Sequence, residues 1–126
     1  MKPFFTSLFV LFALFSFTNP FNIDEVIGGM RSGNASQVAR YFDNTVEISM
    51  PDKSNTYSKS QAEVMLKDFF SNNPVKGFEI IHKGENGGSQ YCIGTLTTRS
   101  GSFRTTIYMK LKNDKQLLEE IRLENH

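Results

Sequence analysis

The chain has 126 residues, 14 Lys and Arg against 13 Asp and Glu, and one cysteine. A net charge of +1 gives no field that would gather nucleic acid or an anionic membrane, so nucleic-acid binding is set aside. One thiol cannot close an internal disulfide, and stability must therefore come from packing.

Behind Lys2, the uncharged apolar run Leu8 to Phe17 suits a secretory h-region and is too short to cross roughly 30 Å of hydrocarbon. We read residues 1–18 as a signal peptide, with Ser16-Phe17-Thr18 supplying small residues for cleavage, and residues 22–124 as one mature domain. Half of the 12 Phe residues precede Thr18, so the aromatic content is largely a targeting property. The only cysteine is Cys92, far from any lipidation position. The mature protein is expected to be exported, periplasmic or secreted, without a transmembrane span.

Three helix starts share one chemistry. Asn22, Asn34 and Ser58 each stand three residues before Glu25, Gln37 and Gln61, the spacing of a reciprocal cap. The first helix runs from Ile23 to Ser32, with Ile23, Val26, Ile27 and Met30 on one face. Within it Gly28-Gly29 costs about 1 kcal/mol per Gly relative to Ala, and marks either a close packing contact or a loose element. A short second helix from Asn34 turns Val38, Tyr41 and Phe42 inward. Thr45 to Met50 is a strand with Val46, Ile48 and Met50 on one face, and Pro51-Asp52-Lys53 turns it toward a partner at Asn55 to Tyr57. The third helix carries Ala62, Met65, Leu66, Phe69 and Phe70 at i, i+3, i+4, i+7 and i+8, a wide apolar stripe, and stops at Asn72-Asn73-Pro74.

After Pro74 the period changes to two. Lys76 to Lys83, Ser89 to Arg99, Phe103 to Lys112 and Lys115 to Leu123 are strands joined by Gly-, Asn- and Asp-rich turns, a four-stranded meander. In the third of them Phe103, Thr105, Ile107, Met109 and Leu111 face the core, while Arg104, Thr106, Tyr108, Lys110 and Lys112 face water or a partner. Leu117, Ile121 and Leu123 share a face of the last strand. The fold class is α+β, a curved antiparallel sheet wrapped around helices in the order helix, helix, hairpin, helix, meander.

Val38-Ala39-Arg40-Tyr41-Phe42-Asp43-Asn44-Thr45-Val46-Glu47-Ile48, then Pro51, Ser58-Lys59-Ser60-Gln61-Ala62 and Phe69-Phe70, resemble the cystatin-like α+β cone of the nuclear-transport-factor and ketosteroid-isomerase superfamily. The match spans Asp24 to Leu123, and within the superfamily the chain looks most like small exported bacterial proteins classed only as a domain of unknown function. That superfamily holds isomerases, dehydratases, ligand carriers and non-enzymatic modules, so the resemblance implies a fold and leaves the activity open. It implies a ligand pocket inside the cone, which here would be lined by Phe42, Phe69, His82, Tyr91 and Ile107.

No set of acids and hydroxyls on the apolar faces reads as catalytic. Asp43 between helix and strand is a turn former bonding nearby amides before it is a general base. Glu47 alternates with Val46 and Ile48 and faces solvent. His82 shares parity with Phe78 and Ile80, which would turn it into the cone, but no orienting carboxylate accompanies it. Tyr57, Tyr91 and Tyr108 are packing residues with wet tips, and Cys92 a buried apolar residue. Asn34-Ala35-Ser36 matches a glycosylation sequon and reads better as a helix cap. No spaced His or Cys motif suggests a metal, and no cofactor is expected. The expected function is a non-catalytic binding or interaction module for a small apolar ligand or an envelope protein. The alternatives are a proton-transfer or dehydration enzyme using His82 and a Tyr, and a structural homodimer.

Overall fold

The computed structural model describes residues 22–126, so the expected signal peptide and its cleavage site lie outside the described residues. The elements follow as α1 (Asn22–Ser32), α2 (Ala35–Ala39), β1 (Phe42–Met50), β2 (Lys53–Ser58), α3 (Lys59–Asn72), β3 (Val75–Asn86), β4 (Ser89–Thr98), β5 (Gly101–Lys112) and β6 (Lys115–Asn125). The strands form one six-stranded sheet in the order β2-β1-β6-β5-β4-β3. Every pairing is antiparallel except β1 with β6, where the first and last strands meet in parallel. Asn113 and Asp114, at φ 49° and 64°, make the β5–β6 turn, the left-handed pair whose twist matches a tight hairpin.

The helices cover one face of this sheet. α1 lies over β3 and β4, α3 lies over β1 and β2, and α2 packs on both helices. The stripe read from α3 is the buried one: Ala62, Leu66, Phe69 and Phe70 are all inside. Arg31 donates to Phe78 O from Nε and Nη2 at 3.3 and 3.1 Å, and Lys83 reaches Asp24 at 2.5 Å, so polar ties hold both ends of α1 to β3.

Two caps behave as their sequences predict on the acceptor side. Asn34 Oδ1 accepts from Gln37 N at 3.1 Å and Ser58 Oγ accepts from Gln61 N at 3.3 Å. The return half of the α2 box is absent, because Gln37 Nε2 donates instead to Glu25 O at 2.9 Å and ties α2 to α1. Asn22, expected as the first cap, is already within α1. The Gly pair in α1 marks close packing. A Cβ on Gly29 would stand 2.7 Å from Val38 Cγ2 and 3.2 Å from Val38 N, so the crossing of α1 and α2 requires its absence.

Other expectations shift by a residue, each for a visible reason. Phe42 is buried but opens β1 instead of closing α2. In β6 the face carries Leu118, Ile121 and Leu123 in place of Leu117, because Glu119 is an extra residue between the pairs Tyr108–Glu120 and Met109–Leu118. Leu111, expected inside, is 45% exposed and lies against Gly88 beside the last turn. β3 bulges in the same way at Ile81, between Ile80–Gly94 and His82–Ile93. One extra residue moves every later side chain to the opposite face.

Candidate functional site

The five residues expected to line a pocket divide between the two faces of the sheet. Phe42, Phe69 and Ile107 belong to one buried hydrophobic cluster that occupies the inner face. Phe69 meets Phe103 edge to face, with ring centres 5.2 Å apart. His82 and Tyr91 stand on the other face. The bulge at Ile81 pairs His82 with Ile93, where an unbroken register would have paired it with Cys92. Gln90, Cys92 and Leu96 are the buried side of β4, so Tyr91 and Ile93 point away from the helices. His82 Nε2 and Tyr91 Oη lie 2.9 Å apart, and the phenol stands over Gly84, where a Cβ would come within 2.5 Å of the hydroxyl.

Apart from Asp43, the buried polar side chains among the described residues are neutral: Gln90, Thr98, Thr105 and Gln116. Thr98 Oγ1 donates to Gly101 O at 2.8 Å, Thr105 Oγ1 donates to Phe103 O at 3.2 Å, and Gln116 Nε2 donates to Gly88 O. Burial pushes the Cys92 thiol up to about 12, which keeps it protonated and a poor nucleophile. These groups can hold a shape and donate hydrogen bonds; they cannot exchange protons at neutral pH.

Asp43 is the second residue of β1 and not part of a turn, but it does bond the neighbouring amide as expected. Its Oδ1 accepts from Asn44 N at 2.7 Å, and its Oδ2 receives Lys112 Nζ at 2.6 Å, with Glu119 3.3 Å from the same amine. The Lys112 hydrogen bond, and then the Asn44 amide, hold the Asp43 carboxyl below its ordinary value against the opposing effect of burial. Asp43 in turn raises Lys112, with Glu119 adding to it. A depressed carboxyl contributes stability above its unfolded value of about 3.9 and loses it as pH falls through the folded one. The raised amine contributes below its unfolded value and loses it as pH rises through the folded one. Asp43→Asn should therefore lower the melting temperature at neutral pH and flatten the acid limb of stability against pH; an acid limb identical to the parent's would rule the pair out as a contributor.

Among the described residues, no helix lies on the outer face of the sheet. Two neighbouring rows cross it: Tyr91, Tyr108, Glu120 and Glu47 in one, and Ile93, Thr106, Arg122 and Ser49 in the next. Tyr91, Ile93, Thr95, Thr106 and Tyr108 are half-buried, and Tyr108 Oη donates to Ser89 Oγ at 3.3 Å. Around this apolar and aromatic centre stand His82, Arg104, Glu47 and Arg122, all exposed. Sequence reasoning placed Tyr108 outward but missed the patch. Its signal was Tyr91-Cys92-Ile93, a run apolar on both faces, which suits a strand covered on both sides. A second surface, an open groove of about 510 Å³ between β2 and α3, is lined by Tyr57, Val64 and Met65 among Asn55, Ser60 and Gln61.

Residues 23–124 match the family described as "Domain of unknown function (DUF4783)". The chain is similar to a DUF4783 family protein from Bacteroides uniformis, at 30% identity over 82% of this chain and 95% of that one, with a TM-score of 0.79. A DUF4783 family protein from Bacteroides fragilis is 32% identical over 81% of this chain and 96% of its own, with a TM-score of 0.76. An NTF2-like protein of unknown function from Cytophaga hutchinsonii shares the fold at 8% identity, covering 81% of this chain and 84% of that one, with a TM-score of 0.60. No curated protein matches the chain.

Proposed function

The chain belongs to the DUF4783 family, with the cone fold of NTF2-like proteins and no activity attached to it, and we propose that it is an exported, non-catalytic interaction module that binds a protein partner through the outer face of its sheet. The observation that carries this reading is the half-buried centre of Tyr91, Ile93 and Tyr108, which no described helix covers, inside a charged rim. An aromatic core with a polar rim is the anatomy of a protein interface. Support also comes from the inner face, where the polar residues are Gln and Thr, and from the one His–Tyr pair, which sits on the open side in water instead of in an enclosed site. Export rests on the Leu8 to Phe17 run.

A small amphipathic ligand is the second reading, and the groove between β2 and α3 favours it. Native mass spectrometry of the protein isolated from its own envelope separates the two. We expect a retained macromolecular partner that is lost in Ile93→Asp, with melting temperature within a few degrees of the parent. A bound small molecule in both forms, with no macromolecule in either, would refute the interaction reading. His82→Gln should leave the retained species in place. A folded His82→Gln protein that loses a measured turnover at least about a hundredfold, the scale of general acid–base catalysis, would establish an enzyme instead.

A further inference from the structure

We propose that the free edge of β2, with the groove between β2 and α3, is a docking site for an extended peptide segment of another protein, which joins the sheet as an added strand antiparallel to β2. The proposal goes beyond the outer-face reading and does not rest on it.

The two edges of the sheet differ. β3 is bulged twice along its pairing with β4, at Lys76 and at Ile81, and bulges turn an edge away from further pairing. β2 pairs with β1 alone, residue for residue from Lys53 to Ser58, with no break and no proline. The turn at Pro51-Asp52 makes Met50 and Lys53 a hydrogen-bonded pair, and bonded pairs recur at every second position, Ile48–Asn55 and Val46–Tyr57. The main-chain amides and carbonyls of Ser54 and Thr56 therefore point away from β1. A row of alternating donors and acceptors is complemented by one kind of partner, another extended main chain.

The groove supplies the seat for that partner's side chains. It opens to about 510 Å³ beside Tyr57, Val64 and Met65, and a second stretch of about 480 Å³ continues from Met65 to Asp68 and Asn72. One wall is β2, six residues or about 20 Å long, and the other is α3 from Ser60 to Asn72, about 18 Å. Tyr57 and Asn55 pair with the buried Val46 and Ile48 and so lie on the helix side of β2, which turns the peptide residues opposite them toward Met65 and the 56% exposed Val64. At the hairpin end stand Asp52 and Asp68 against Lys53, so a basic residue there balances the charge. An antiparallel peptide ends at the hairpin. The site thus selects apolar residues at alternate positions followed by a C-terminal basic one.

The probe is the capped heptapeptide TITVTTK. In the docked register its Ile and Val face Tyr57 and Asn55, its Lys faces Asp52, and the amides of its third and fifth residues face Thr56 and Ser54. Isotope-edited NMR of the mature protein should show saturable binding with a Kd below about 1 mM and the largest shifts at Ser54 and Thr56. N-methylation of the third and fifth residues removes the donors aimed at β2 and should weaken binding at least about tenfold, whereas N-methylation of the fourth, whose amide points away, should leave it unchanged. Thr56→Pro removes an amide that β1 does not use, a change edge strands tolerate, and should weaken the parent peptide likewise. Val64→Asp should do the same from the α3 wall, and circular dichroism melts confirm that both variants are folded.

No saturation up to roughly 1 mM overturns the proposal. So does equal binding of the doubly methylated peptide, because the groove then takes apolar side chains without reading a main chain, as a small-ligand site would. Shifts centred on Tyr91, Ile93 and Tyr108 would move the peptide to the outer face, refuting the edge while leaving the interaction module standing.

Discussion

Phe69→Ala should lower stability by about 3–5 kcal/mol, the range for emptying a buried aromatic position in a packed core. Phe69 lies in the last turn of the apolar stripe of α3, before Phe70, and is 7% exposed. Its ring meets Phe103 at 5.2 Å and Phe70 at 6.0 Å, both edge to face, so truncation removes two aromatic contacts along with the buried area. The backbone there is held independently: Asn73 N and Nδ2 donate to Phe69 O at 2.8 and 2.9 Å and close the helix whatever side chain position 69 carries. The loss is therefore a cavity between α3 and the sheet, and against a typical total stability of about 5–15 kcal/mol it brings the domain close to unfolding. Urea denaturation measures it directly. A loss below about 1 kcal/mol would mean that the ring fills no enclosed space.

That stripe was legible because a helix repeats every 3.6 residues and α3 contains no interruption to shift the phase. The same holds for the strand parity of β5 from Phe103 to Met109, where Thr105, Ile107 and Met109 are buried and Arg104, Thr106 and Tyr108 between them face outward. Legibility fails where one inserted residue changes the phase of a strand. Ile81 and Glu119 look like ordinary members of alternating runs, yet each is unpaired in its ladder, and the faces assigned to His82 and Leu117 reverse as a result. A bulge is set by how two strands must bend over the helices between them, which is a property of the whole sheet. The candidate site suffered most, because His82 was assigned to the interior by parity alone. The outer face was half legible: the apolar doublet Tyr91 and Ile93 can be seen in the sequence, but its union with Tyr108, Glu120 and Arg122 depends on the register of three strands.

Gly94→Val should cost about 3 kcal/mol, the upper part of the range for forcing extra volume into a packed site. Gly94 faces Ile80, immediately before the bulge at Ile81. A Cβ at position 94 would lie 2.5 Å from Glu79 O and 2.8 Å from Phe78 Cε1. Neither neighbour yields easily. The first is main chain in the adjacent strand, and the second belongs to a ring that is 4% exposed and fills the inner face. The glycine thus leaves room for Phe78 to lie across β4, and the two γ-methyls of Val would drive β3 outward at the point where it bends. Gly77, on β3 itself, supplies the control: nothing lies within 4 Å of a Cβ built there and its φ is outside the left-handed region. Gly77→Ala should therefore change stability by less than about 0.5 kcal/mol or raise it slightly, since alanine restricts the unfolded chain. Thermal melts of the two variants decide the matter together with amide exchange. Exchange should accelerate along β3 and β4 in Gly94→Val alone, and equal losses in both variants would show that strand conformation, and not the collision with Phe78 and Glu79, sets the requirement for glycine.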